Sequence, residues 1–205
     1  RDPARRPGLV GRTGMKVGVL ALQGAFARHA QVLAALGAAP VEVRCPADLA
    51  DVDAMVLPGG ESTTMSMLLD SSGLRQPVAD RLANGMPTFG TCAGMILLAT
   101  RLADGRYDQR SFGAIDLDVR RNGYGRQIDS FEKDLVVTGL DEPFHGVFIR
   151  APVVDRVGDD VEILATVDGA PVLCLQGTVM VSSFHPEMSG DARIHARFLD
   201  LAFSR

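Results

Sequence analysis

Apolar runs of strand length alternate with helical patterns along the first hundred residues. Met15 to Leu22 (MKVGVLAL) is apolar at nearly every position, and AFARHAQVLAAL at 25–36, closed by Gly37, follows with helical spacing. Together they predict the strand and helix that open a βαβ unit. Val41 to Arg44 and Asp53 to Leu57 predict two further strands, the second stopping at Pro58-Gly59-Gly60. The pattern then gives helices at Glu61 to Leu69, around Gln76 to Ala83 and at Met95 to Leu102, with a strand at Pro87 to Phe89. Strands that are apolar throughout and separated by helices imply a parallel sheet covered on both faces.

From about Phe112 the pattern shortens to strand-like runs (IDLDV, LVV, GVFIRA, EILATV, APVLCLQ, TVMVSSF) divided by turn signals such as DG and QG. These predict antiparallel or mixed strands added at the edges of the parallel core. Asp191 to Phe203 closes the chain as an amphipathic helix with Asp191 as its cap. The expected fold class is α/β: three layers, Rossmann-like, with a mixed, mostly parallel sheet between helices.

With 205 residues and 46% hydrophobic content the chain suffices for the core of one domain, expected over 15–205. Residues 1–14 (RDPARRPGLVGRTG) lack the apolar stretch of a secretory signal and are expected to be a disordered leader, a cloning remnant or an overextended start. A net charge of -4 offers no chain-wide basic field, which argues against nucleic acid or an anionic membrane as the main partner. Three scattered cysteines make neither a disulfide framework nor a CxxC metal site, and an odd count fits a reducing compartment, by default the cytoplasm. No apolar run approaches the roughly 20 residues that span a bilayer.

Chemistry enters at MPTFGTCAGMILLA, residues 86–99. Gly90-x-Cys92-x-Gly94 has the spacing of a nucleophile elbow, a tight strand-to-helix turn that lifts a nucleophile above a sheet edge. At a helix N-terminus the free N–H groups favour a sulfur anion, and the Ala93 N–H would face an oxyanion formed by attack on a carbonyl. The alternative is a small buried hydrophobe beside tight-turn glycines. Among the histidines, His29 and His195 fall in predicted helices without an adjacent carboxylate pattern and read as surface or packing residues, and His145 sits in the turn-like DEPFHG. His185 differs, because in SSFHPE an apolar strand ends at a His and a Glu two residues apart, and strand alternation puts His185 and Glu187 on one face. Glu187 could then hold the imidazole while its other nitrogen faces the thiol.

Pro58-Gly59-Gly60-Glu61-Ser62-Thr63-Thr64 lies between a strand and a helix. No Lys follows the glycines, so a phosphate loop is excluded. In a parallel sheet the carboxyl ends of strands share a rim, which brings this loop beside Cys92 and makes the Gly60 N–H a second oxyanion donor. Glu61 or Ser62 acting as an ordinary helix cap is compatible with that role.

Taken together, VLALQGAFARH, LPGGESTTM, FGTCAGMILLA, RRNGYGRQIDSFE, GVFIRAP and SFHPE resemble the class I glutamine amidotransferases, and within them the glutaminase subunits of the two-protein pyridoxal 5'-phosphate synthases. The blocks cover essentially all of 15–205. Tyr124, after Gly123, stands where Phe is more usual, and the leader has no counterpart. The resemblance implies that Cys92, His185 and Glu187 form a catalytic triad hydrolysing L-glutamine to glutamate and ammonia. It implies further that Gly60, Glu61, Ser62, Arg121, Ile149 and Arg150 contact glutamine, that Gly60 and Ala93 form the oxyanion hole, and that no cofactor or metal takes part. The implied partner is a (β/α)8-barrel synthase subunit that receives the ammonia in a large hetero-oligomer, the glutaminase being nearly idle alone. Three other readings stay open: the glutaminase subunit of another amidotransferase, a cysteine peptidase or stress-response thiol protein on a similar sheet, and a catalytically silent regulatory subunit.

Overall fold

The computed structural model describes residues 14–105, 109–121 and 130–204. The leader, apart from Gly14, and the Gly123-Tyr124 departure lie outside them.

Five short strands build the parallel core: β1 (Lys16–Leu20), β2 (Ala39–Val43), β3 (Ala54–Leu57), β4 (Thr88–Thr91) and, late in the chain, β12 (Val179–Ser182), all but the edge strand β2 largely buried. Antiparallel β10 (Glu162–Val167) and β11 (Ala170–Gln176) extend one side, so the seven strands lie in the order β10-β11-β12-β4-β3-β1-β2. Two smaller units flank this sheet: β5 (Ala99–Leu102) with β6 (Ile115–Arg120) and β9 (Val153–Val157), and the hairpin of β7 (Ser130–Leu135) with β8 (Phe144–Ile149). The expected α/β architecture with a mostly parallel sheet is what the chain adopts.

Strand alternation divides the interior in two. On β3, Met55 and Leu57 join one cluster with Met65 and Leu69 of α2 (Ser62–Ser71), Val78 of α3 (Arg75–Ala83) and Met95 to Leu98 of α4 (Ala93–Leu98). Ala54 and Val56 join the other, with Leu33 of α1 (Phe26–Ala35) and Ile194, Phe198 and Leu199 of α5 (Arg193–Phe203). Period-two side chains therefore send each strand into both layers. Among the described residues no helix is long and apolar enough to cross a membrane.

Several expectations need correction. The helix expected over Met95 to Leu102 ends at Leu98, and Ala99 to Leu102 pairs with β6; the apolar run Met95 to Ala99 carries no mark of where the helix stops, and the exposed Thr100 and Arg101 that follow fit either element. The strand at LVV lies earlier, at Ser130–Leu135, and β9 was unread; both carry charged residues that mask the period. β2 starts at Ala39 and contains Pro40, tolerated because β2 is the sheet edge. Asp191 precedes the α5 cap residue, Ala192, yet still accepts the Arg193 N–H at 2.9 Å. His145 lies within β8 rather than in a turn.

Candidate active site

The parallel strands β1, β3, β4 and β12 end at one rim, and the segments that follow them build the site. Directly after β4, Cys92 caps α4 with φ 50° and ψ -103°. Its N–H donates to the Ser182 carbonyl at 2.8 Å, tying it to the end of β12. The flanking glycines are dictated by contact: a Cβ on Gly90 would lie 2.7 Å from the Gly94 carbonyl oxygen, and one on Gly94 would overlap the Leu57 carbonyl. Among the described residues three non-glycines have left-handed φ, namely Cys92, Arg150 and Asp168. Asp168 sits in the β10–β11 turn, whereas Cys92 and Arg150 both line a cavity of about 360 Å3 at the rim. Strain of this kind concentrates at functional sites.

His185 does not continue a strand. After Ser182 the chain turns, and Pro186–Met188 form a 3-10 turn capped by His185, with Pro186 at the first position where its missing N–H costs nothing. The turn, and not strand alternation, brings the His185 Nδ1 to 2.8 Å from Glu187 Oε1. The His185 N–H donates to the Val147 carbonyl at 2.8 Å, so β8 fixes the backbone as well. A carboxylate partner puts the proton on Nδ1 and leaves Nε2 for the thiol. Burial lowers the His185 pKa, but its interactions with Cys92 and Glu187 outweigh that and raise it to about 10. Burial would raise the Glu187 carboxyl; the His185 hydrogen bond and the neighbouring imidazoles hold it below the usual carboxylate range.

Gly59 forms the wall against this pair, for a Cβ there would collide with the His185 ring and touch the Cys92 Cβ. Gly60, Glu61, Ser62, Arg121, Ile149 and Arg150, the residues expected around glutamine, all line the cavity with Cys92 and His185. Glu61 caps α2, accepting from the Thr63 and Thr64 amides at 3.0 and 2.7 Å. Burial would raise its carboxyl, but hydrogen bonds from Thr64 and Thr63 bring it down to about 2. Arg121 donates to Thr63 Oγ1 at 2.9 Å and stands 3.9 Å from Glu61, so a cation and an anion share one end of the cavity. The Cys92 Sγ lies 3.9 Å from the Ile149 carbonyl at the other wall. Ala93, the first residue of α4, directly follows the thiol.

Sequence reasoning missed two groups. Gln23, Gly24 and Ala25 line the cavity, the Gln23 side chain accepting the Glu61 N–H at 3.0 Å; they follow β1, whose carboxyl end is on the same rim, and that was the available signal. His29 and His195 are completely buried, joined to each other through their ring nitrogens at 2.9 Å, and His29 lies against Glu187. No spacing in the sequence announces that contact, because the two histidines are 166 residues apart. His145 is exposed, bonded to Asp134 and Glu132 at 3.1 and 3.0 Å, and does not line the cavity. Of the other thiols, Cys45 is exposed, and Cys174 is buried in the sheet, which pushes its pKa up to about 12.

Comparison with known proteins supplies the context. The chain is 54% identical over 185 residues to pyridoxal 5'-phosphate synthase subunit PdxT of Mycobacteroides abscessus, covering 90% of this chain and 96% of that one. It is 52% identical over 193 residues to the subunit of the same name from Frankia alni, covering 94% and 97%. A solved structure described as a glutamine amidotransferase superposes with a TM-score of 0.86 at 48% identity, covering 91% of this chain and 98% of the other. The model of the SNO glutamine amidotransferase family matches residues 19–203, nearly the whole of the described fold, and the chain belongs to that family.

Proposed function

We propose that this chain is the glutaminase subunit of a pyridoxal 5'-phosphate synthase, a single domain over 15–205 that hydrolyses L-glutamine and delivers the ammonia to a (β/α)8-barrel synthase subunit within a hetero-oligomer in the cytoplasm. The names of the half-identical relatives support the pathway. The observation that carries the chemistry is a thiol on a strained turn, facing an imidazole that a buried carboxylate holds at 2.8 Å.

In this reading the Cys92 thiolate attacks the side-chain amide carbon of glutamine, and the oxyanion rests on the N–H groups of Gly60 and Ala93. The His185 imidazolium, kept charged by Glu187, gives its proton to the departing nitrogen, which leaves as ammonia while the γ-glutamyl thioester remains. Neutral His185 then takes a proton from water. The resulting hydroxide attacks the thioester, and glutamate leaves as the thiolate is restored. Arg121 matches the α-carboxylate of glutamine and Glu61 its ammonium, with Ser62, Ile149 and Arg150 completing the contacts.

The test is ammonia release from glutamine by the chain mixed with its matching synthase. Cys92→Ala is expected to lower the rate by about 10^4-fold or more, and the unmodified chain to gain most of its activity only on mixing. A Cys92→Ala chain that releases ammonia at the parent rate overturns the assignment; equal turnover with and without the synthase overturns the coupling.

A further inference from the structure

Behind Glu187, on the side away from the thiol, two imidazoles are packed into the apolar layer between the sheet and helices α1 and α5. His29 and His195 are both completely buried, and the Phe89 ring meets His195 nearly at right angles, 5.9 Å between ring centres. His29 Nδ1 lies 2.9 Å from His195 Nε2, while His29 Nε2 lies 3.2 Å from Thr91 Oγ1 and 3.3 Å from Glu187 Oε2. The approach to Glu187 is off the line of a good hydrogen bond, which leaves Oε2 without one, and His195 Nδ1 has none either. Glu187 thus stands between two imidazoles, one in the cavity and one in the core.

Burial pushes His29 down to about 4 and His195 to about 3, so both are neutral near pH 7. The titratable groups facing the pair are Glu187 and His185. Two neutral rings hold two protons on four nitrogens, and two arrangements satisfy the short contact between them. If His29 carried its proton on Nδ1, its Nε2 lone pair would face the carboxylate and His195 would bury an unpaired N–H. If His195 donates from Nε2, His29 Nδ1 accepts, and the His29 Nε2–H points into the space between Thr91 Oγ1 and Glu187 Oε2. The second arrangement turns a donor, and not a lone pair, toward a buried anionic oxygen, and the cost of leaving such a group unmatched selects it.

We propose that His29, its tautomer fixed by His195, is a positioning residue of the glutaminase reaction: it holds the outer oxygen of Glu187 so that the inner one orients His185 toward Cys92. This rests on the triad assigned above. Thr91 is the residue before Cys92, so the same imidazole also braces the strand end that carries the thiol.

The experiment compares His29→Leu with His29→Gln, whose side-chain amide returns an N–H near the lost Nε2, in the glutaminase assay with synthase present. His29→Leu is expected to lower kcat about 10- to 100-fold with KM nearly unchanged. Its acid limb of the pH–rate profile should move to higher pH, because Glu187 loses a stabilising dipole; His29→Gln should restore both. An unaltered profile and kcat in His29→Leu overturn the proposal, as does a loss that His29→Gln fails to rescue. Nitrogen-15 NMR of the unmodified chain gives a readout that needs neither folding of a variant nor activity: a proton on His29 Nε2 supports the proposal and one on Nδ1 overturns it. Should Cys92→Ala retain ammonia release, the triad reading fails instead, and the two failures are told apart.

Discussion

Cys92 carries a side chain through a backbone conformation that glycine adopts without penalty and other residues adopt at a cost of about 1–3 kcal/mol. The conformation persists because it is fixed from several directions: its N–H is bonded to Ser182, the glycine at 94 packs on the Leu57 carbonyl, and α4 begins at the next residue. Both Cys92→Ala and Cys92→Gly remove the sulfur, yet only the second releases the strain. Urea unfolding should therefore find Cys92→Gly more stable than Cys92→Ala by about 1 kcal/mol. Equal stability, or a less stable glycine variant, would show that the turn is not strained.

At the scale of elements, what could be read from the chain was what depends on local pattern. β1, β3 and β12 are apolar at nearly every position, α5 buries Ile194, His195, Phe198 and Leu199 on one face, and the glycines around Cys92 mark a tight turn wherever it lies. What escaped depended on partners distant in sequence. β7 has five consecutive exposed or half-exposed polar and aromatic positions before Leu135 and is a strand because β8 pairs with it, Phe131 stacking on Phe148 at 4.4 Å with rings 6° apart. His185 and Glu187 were expected to meet across a strand face and meet through a 3-10 turn, since Pro186 ends the ladder and starts the turn. The β7–β8 hairpin also supports the site, for Val147 accepts the His185 N–H and Ile149 lines the cavity. Phe131→Ala should thus cost about 1 kcal/mol of stability and raise KM for glutamine by more than it lowers kcat. Unchanged KM in a measurably destabilised variant would separate the hairpin from the cavity.

Across the whole molecule, buried histidines make stability depend on pH from both sides. His29 and His195 have folded pKa values of about 4 and about 3, below the ordinary 6.5, so between those values and 6.5 the unfolded chain binds more protons and stability falls as pH falls. His185, raised to about 10, works in the opposite sense: its contribution is complete below 6.5 and is lost as pH rises toward 10. Denaturant unfolding should show a maximum near neutrality, with an acid slope of up to about 1.4 kcal/mol per pH unit for each of the two core imidazoles. His195→Phe should flatten the acid side; an acid slope unaffected by that change would place the proton uptake elsewhere. The burial of Cys174 has a practical consequence too. Its sulfur is shut inside the sheet and poorly ionised, and Cys45 is exposed and removable as Cys45→Ser. A chain with that single change presents one thiol to a reagent small enough to enter the cavity, so moles of label bound per mole of chain become a direct count of competent molecules in any preparation.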